Sequence, residues 1–206
     1  MPLCILNIGG ISNITIISEK TDTLSLSSRD IGPGNCLIDS WVRKNSDQNY
    51  DKDGILAAAG TRNEIILEQA QELFSNRPNQ NNLSFDTNDF DVSFARGLSL
   101  EDGATTLTDF TARVIGAALF SLLSKVNNEV FKVLICGGGR KNKILKRRFF
   151  SHRSLKSRSY FMTILDRLFQ REYLSKQKNH EYTRELLSST VKFGEGEKWA
   201  LHYYNN

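Results

Sequence analysis

The chain opens on two β-branched runs, CILNI and ISNITII, separated by nothing but Gly9 and Gly10. Runs of this kind around a two-glycine joint form a hairpin with a bare tip. A third alternating run, TLSLSSRDI, follows and ends in Gly32-Pro33-Gly34. Three short strands therefore begin the fold, and a helix through CLIDSWVRK comes next, with Asn35 placed to cap it. Two further helices are expected. One runs through RNEIILEQAQELF, with Ile65, Ile66, Ala70, Leu73 and Phe74 at helical spacing. The other is longer, opens at Thr105 or Thr106, and carries Phe110, Val114, Ile115, Ala118, Leu119, Leu122 and Leu123 on one apolar face. The stretch SNRPNQNNLSFDTNDFD between them reads as a solvent-facing loop. After the Asn127-Asn128 break, VFKVLIC is a continuous apolar run that ends in Gly137-Gly138-Gly139 and leads into another helix, the pattern of a buried strand.

Charge divides the chain in two. Residues 1–139 hold 11 Lys+Arg against 17 Asp+Glu, a net of −6; residues 140–206 hold 16 against 6, a net of +10, with His152, His180 and His202 all on that side. Beyond Leu145 the periodicity fades into KRRFFSHRSLKSRSYF. The expected organisation is a folded unit over 1–145 and a divergent, poorly ordered basic tail over 146–206. At 206 residues, 39% of them hydrophobic, the chain has the length and composition of a globular domain with an appendage. Cys4, Cys36 and Cys136 are odd in number and far apart, which argues against a disulfide framework or zinc knuckle and for a reducing, cytoplasmic setting. No leader pattern opens the chain. Its longest apolar stretch, Val114 to Leu123, is too short for a bilayer, so no membrane role is expected.

Several segments could carry chemistry. The tip of LNIGGISN presents backbone unshielded by Cβ atoms and could hold a phosphate, with Asn7, Asn13 and Thr15 as polar company; an ordinary tight hairpin would look the same. DIGPGN joins the Asp30 carboxylate to Gly32, Gly34 and Asn35 at a helix start, which suits a magnesium-bound phosphate, with Asp30 as the candidate metal ligand; a simple strand-to-helix turn is the plainer reading. YDKDG sets Asp51 beside Asp53. A calcium loop is excluded because the twelfth position is Arg62, leaving a polar turn or carboxylates that face substrate or metal. ICGGGRKN, with Gly137, Gly138, Gly139 and Asn142, lets a flat or charged ligand approach the backbone, yet it has neither the dinucleotide GxGxxG spacing nor the Walker GK[ST] ending.

LNIGGISNIT, DIGPGN, YDKDGILAAAG, LSLEDGATTLTDFTA and LICGGGRKN, in that order, closely resemble the second half of the anhydro-N-acetylmuramic acid kinases over residues 3 to 145. The resemblance implies an α/β fold, the RNase H-like lobe of the actin, hexokinase and Hsp70 superfamily, with a mixed sheet flanked by helices. It implies ATP and magnesium as cofactors and an amino sugar as substrate. The family's reaction opens the 1,6-anhydro ring with water and phosphorylates the sugar to N-acetylmuramic acid 6-phosphate in peptidoglycan recycling. By the same resemblance Gly9 and Gly10 form a phosphate hairpin, Gly137 to Gly139 lie near the adenosine, and Asp30 to Asn35 line the cleft, while Asp51 and Asp53 match only by position.

The resemblance also places a glycine-rich GTSMDG-type motif and the expected catalytic base in a lobe that would precede LNIGG. No catalytic residue is therefore assigned within 1–206, and a separate N-terminal lobe chain is an implied partner. The family's PPKS-like stretch between Phe74 and Phe90 is replaced by asparagines, and its closing GD-x-x-EA-type helix has no match in 146–206. Two other classes remain open. One is an inactive relic or nucleotide-binding fragment. The other, ranked last, is a nucleic-acid module that grips phosphates through the basic tail, for which no recognition motif is present.

Overall fold

The computed structural model describes residues 3–20, 23–77, 84–123, 131–151 and 160–164. Among these residues the strands form one five-stranded mixed sheet in the order β3-β2-β1-β4-β5. Strands β1 (Leu3–Ile8), β2 (Ile11–Lys20) and β3 (Thr23–Pro33) make the antiparallel meander expected from the glycine tip and the alternating run. β4 (Phe131–Cys136) then lies parallel to β1, with Leu3 opposite Lys132 and Asn7 opposite Cys136, and β5 (Tyr160–Ile164) extends the sheet parallel to β4.

Helices α1 (Cys36–Asn45), α2 (Ile55–Ala59) and α3 (Glu64–Ser75) precede the long α4 (Leu100–Leu123), and α5 (Lys143–Phe150) follows β4. Where the sequence suggests an end near residue 145, α5 runs on to Phe150 and β5 joins the sheet. The Asn127-Asn128 break, the asparagine run over 78–83 and nearly all of the basic tail, with its three histidines, lie outside the described residues.

Helix α4 is the spine of the lobe. One side of it, with Ala112, Ile115 and Leu119, closes on Cys4, Leu6, Ile8, Ile14 and Ile31 of the sheet and on Leu145 and Phe149 of α5. The other side, with Leu107, Phe110 and Val114, packs on Leu37, Ile38 and Trp41 of α1 and on Leu67 and Ala70 of α3. At about 1.5–3 kcal/mol per fully buried large apolar side chain, these two clusters carry most of the stability of the fold.

Helix α4 starts earlier than its threonines suggest. The Ser99 hydroxyl accepts from the Asp102 N–H at 3.1 Å and the Ser99 carbonyl accepts from the Gly103 N–H, so Ser99 caps a helix that begins at Leu100. Thr105 and Thr106 lie one turn inside and donate back to the Glu101 and Asp102 carbonyls. Thr105 also shares its hydroxyl with the Ala57 carbonyl, and Thr106 accepts from the Asn63 N–H, which stitches α4 to the end of α2 and the start of α3.

Two further expectations change. On α3 Ile65 and Leu73 face outward, 69% and 70% exposed, and Leu67 with Ala70 makes the buried contact. The following segment is only partly solvent-facing: Phe85 and Phe90 are half-buried, 5.4 Å apart, and each lies 6.4 Å from Phe74. Spacing alone could not show this, because the side chain they pack on, Phe74, belongs to α3.

The crossing of α1 and α4 depends on a missing side chain. Trp41 donates its indole N–H to the Leu100 carbonyl at 2.9 Å and lies against Gly103, where a Cβ would overlap the indole ring. An alanine there would gain about 1 kcal/mol of helix propensity but would force the ring out of place, an overpacking cost of about 1–3 kcal/mol plus the indole hydrogen bond. Gly103→Ala is therefore expected to lower the urea midpoint despite its better helix propensity; an unchanged or raised midpoint would show that the Trp41 contact is loose.

Candidate functional site

The sequence motifs meet at one corner, the end of the sheet where β1 and β4 finish. The Gly9 and Gly10 carbonyls at the hairpin tip accept from three successive N–H groups: Gly34 to Gly10 at 2.8 Å, Asn35 to Gly9 at 2.7 Å and Cys36 to Gly10 at 3.1 Å. This close contact needs glycine at position 34, because a Cβ there would overlap the Gly9 carbonyl oxygen. The Gly34, Asn35 and Cys36 N–H groups thus hold the hairpin tip against the start of α1.

Asn35 is no side-chain cap. It occupies the N-cap position without a capping hydrogen bond, and its amide lies against Gly138 and Gly139. The glycine loop after β4 closes the corner from the other side. Gly137, at φ +85°, passes against the Ile8 carbonyl and the Asn7 side chain, and Gly139 passes against the Ile8 side chain. Arg140 is buried and donates to the Gly137 carbonyl at 2.9 Å.

Beside this corner a polar row crosses the sheet. Cys136, Asn7, Asn13 and Asp30 are successive cross-strand partners on β4, β1, β2 and β3. The Cys136 thiol lies 3.6 Å from Asn7 Oδ1, and burial pushes that thiol up to about 11. The row lies on the sheet face opposite the one that α4 covers, since the alternate residues Leu6, Ile8 and Ile14 pack against α4. At Asp30 the pairing of β2 and β3 is irregular: Ser12 faces Gly32 and Asn13 faces Asp30, so Ile31 is an extra, unpaired residue. Such a bulge re-aims its neighbours. Here it buries Ile31 in the core and leaves Asp30 half-buried at the strand end. Asp30 Oδ2 accepts from Ser84 Oγ at 3.1 Å and from the Phe85 N–H at 3.0 Å.

The other candidates are placed differently. Asp51 is buried, and its two carboxylate oxygens accept from the Leu56 and Ala57 N–H groups at 2.8 and 3.1 Å, so it holds the first turn of α2. Asp53 is exposed and sits at φ 57°, a left-handed position inside the same turn. Asn142 is buried and caps α5, its Oδ1 accepting from the Ile144 and Leu145 N–H groups. Sequence reasoning did not single out Asp39, one helical turn beyond Asn35 on α1. Burial chiefly, with Asp51 nearby and Arg43 opposing, pushes its carboxyl up to about 6. Its four-residue spacing from Asn35 is the signal that could have drawn attention to it.

The site can be tested against the ligands that its motifs suggest. Gly10 and Gly138 are exposed, and the backbone between them is bare because Cβ atoms at Gly34, Gly137 and Gly139 would collide with neighbouring chain. A phosphate chain can come close to such a surface. Among the described residues no group of three or more His, Cys, Asp or Glu could hold a metal by itself. A magnesium ion that takes most of its oxygens from phosphates and water needs only one or two carboxylates, and Asp30 could supply one.

Because the folded-state value of Asp39 is raised, the folded protein binds its proton more tightly than the unfolded chain does. The cost of ionising it is absent below about pH 4 and complete above about pH 6. Asp39→Asn should accordingly raise stability by on the order of 1 kcal/mol at pH 7, after allowing for solvent screening, and by nothing at pH 4. Thermal melts at the two pH values check this, and an equal effect at both would discount the burial.

The chain is similar to known proteins over most of its length. A family model described as anhydro-N-acetylmuramic acid kinase matches residues 2–159. The anhydro-N-acetylmuramic acid kinase of Pelagibacter ubique (strain HTCC1062) is 48% identical over 141 residues, covering 68% of this chain and 37% of its own. That of Zymomonas mobilis subsp. mobilis is 37% identical over 143 residues with the same coverage. That of Methylorubrum populi is 34% identical over 176 residues, covering 84% of this chain and 40% of its own. The chain thus spans about two fifths of the length of these relatives. Among solved structures, a glucokinase from Balamuthia mandrillaris in complex with glucose aligns with a TM-score of 0.33 at 14% identity, over 80% of this chain and 50% of that one. Among the described residues no helix is long and apolar enough to cross a membrane.

Proposed function

Given that the chain belongs to the anhydro-N-acetylmuramic acid kinase family, we propose that its sheet and helices form the ATP-clasping lobe of a kinase that opens the anhydro ring of 1,6-anhydro-N-acetylmuramic acid and phosphorylates the sugar. The observation that carries this reading is the corner itself. Two glycine turns far apart in sequence, at Gly9-Gly10 and Gly137 to Gly139, are brought together with Asn35 between them and Asp30 beside them.

In this reading the Gly9-Gly10 tip lies along the phosphates and Gly137 to Gly139 approach the adenosine. Asp30 faces the magnesium ion and the transferred phosphoryl group. Asn7 and Asn13 order the polar row that leads to it. Asp51 and Asn142 have their oxygens engaged by helix N–H groups, so they shape the walls of the site without touching nucleotide. Magnesium, when bound with ATP, would neutralise charge developing on the phosphates. The amino-sugar pocket is shared with a lobe contributed by another segment or chain, since this chain spans only part of the length of its relatives.

Calorimetry with ATP and magnesium tests the nucleotide half of the proposal, and ADP release with 1,6-anhydro-N-acetylmuramic acid tests the rest, with and without a relative's N-terminal lobe added as a second chain. The expected results are ATP binding by the 206-residue chain, sugar-dependent ADP release once the second lobe is present, and a loss of about 100-fold in that release for Asp30→Asn with ATP binding retained. Failure to bind ATP in the presence of magnesium would overturn the proposal.

A further inference from the structure

The segment from Ser84 to Phe90 lies across the end of β3 and is held more firmly than a connecting loop requires. Asp86 and Asp89 form a reciprocal capping box around a single turn, and the Asp86 carboxylate also accepts from the Asn88 N–H at 2.9 Å. Phe85 and Phe90 are packed on Phe74. The Arg77 guanidinium covers Phe74 at 5.6 Å and Phe90 at 5.1 Å and donates to the Asp89 carbonyl at 3.0 Å. At one end of this strap Ser84 Oγ and the Phe85 N–H both reach a single atom, Asp30 Oδ2. Midway along it, the Thr87 methyl stands over Gly10, 3.2 Å from where a Cβ would lie. One strap therefore spans the carboxylate and the glycine tip.

We infer that Ser84 is a positioning residue for Asp30. Two donors on one oxygen fix the rotation of the carboxylate and leave Oδ1, which has no hydrogen-bond partner among the described residues, as the oxygen that faces a ligand. The inference rests on the reading of Asp30 as the carboxylate that faces magnesium and phosphate. A purely structural role would use the same hydrogen bond only to moor the strap. The aromatic cluster, the Arg77 contacts and the Phe85 N–H moor it already, and Ser84 itself is exposed, so truncation of its side chain leaves the packing whole.

The test is manganese affinity, read by electron paramagnetic resonance on the full chain with a non-hydrolysable ATP analogue, alongside the carboxyl carbon resonance of Asp30 in the ligand-free protein. Ser84→Ala is expected to weaken manganese binding by about tenfold and to move the Asp30 resonance. Ser84→Thr, which keeps the hydroxyl, should restore both. Thr87→Val, which keeps the methyl over Gly10 but drops a hydroxyl elsewhere on the strap, should change neither. If the parent chain binds manganese and the analogue and Ser84→Ala binds them equally well, the positioning role is overturned while the kinase reading stands. Loss of affinity in Thr87→Val equal to that in Ser84→Ala would also overturn it, since the strap as a whole would then be responsible. A parent chain with no affinity for manganese and the analogue together would overturn the kinase reading, and this inference with it.

Discussion

The architecture depends on backbone bonded to backbone at the hairpin tip. Two carbonyls, those of Gly9 and Gly10, take three N–H groups from the start of α1, and this contact fixes where the first helix leaves the sheet. Two of the groups satisfied, the Asn35 and Cys36 N–H, are among those that a helix leaves open at its first turn. Everything after α1 inherits its direction: Trp41 on α1 sets the approach of α4 through Gly103, and α4 sets the position of α5 and the glycine loop before it. Side chains would spoil such a joint at several places, which is why glycine appears on both partners and again at Gly137 and Gly139.

Much of this was legible in the sequence. The two-glycine hairpin, the alternating third strand and the buried run ending in three glycines are signals of period and punctuation, and those need no knowledge of partners. What escaped was set by partners. Asn35 has the residue type and the position of a cap, yet it makes no capping hydrogen bond, and its amide lies against the Gly138-Gly139 loop. Thr105 and Thr106 look like helix openers, but Ser99 lies upstream with its own carbonyl and hydroxyl in place. Ile65 and Leu73 keep helical spacing and still miss the core, because α3 meets α4 along Leu67 and Ala70. For the candidate site, the motifs named the glycine loops that the fold brings together; which carboxylates are engaged by helix N–H groups could not be read. Asp51 and Asp30 are alike as letters, and only their hydrogen bonds show that the first is spent on the N-terminus of α2 while the second keeps an oxygen in hand.

Charge inside the lobe is handled by sharing. Asp109 on α4 is buried, with Arg62 Nη1 at 3.3 Å and Arg148 Nε at 3.0 Å, and Glu64 accepts from both Arg62 and Arg113. A buried carboxylate between two guanidiniums that are themselves partly exposed avoids the full desolvation cost of a buried pair. The network joins the start of α3 to α4 and α5 and so helps to hold the three helices together.

The parallel pairing of β1 with β4 has a consequence for how the chain is made. β1, β2 and β3 contact one another within the first 33 residues, but the second edge of β1 is filled only when Phe131–Cys136 arrives. Pairing at such sequence separation is slow because the intervening chain must be ordered first. During synthesis the meander emerges early with one flank of β1 unpaired, apolar and available to neighbouring chains. The pairing of β4 with β1 is what brings Gly137 to Gly139 against Ile8, so the glycine corner forms only once this distant pairing is made, and until then the meander carries an aggregation hazard at its open edge.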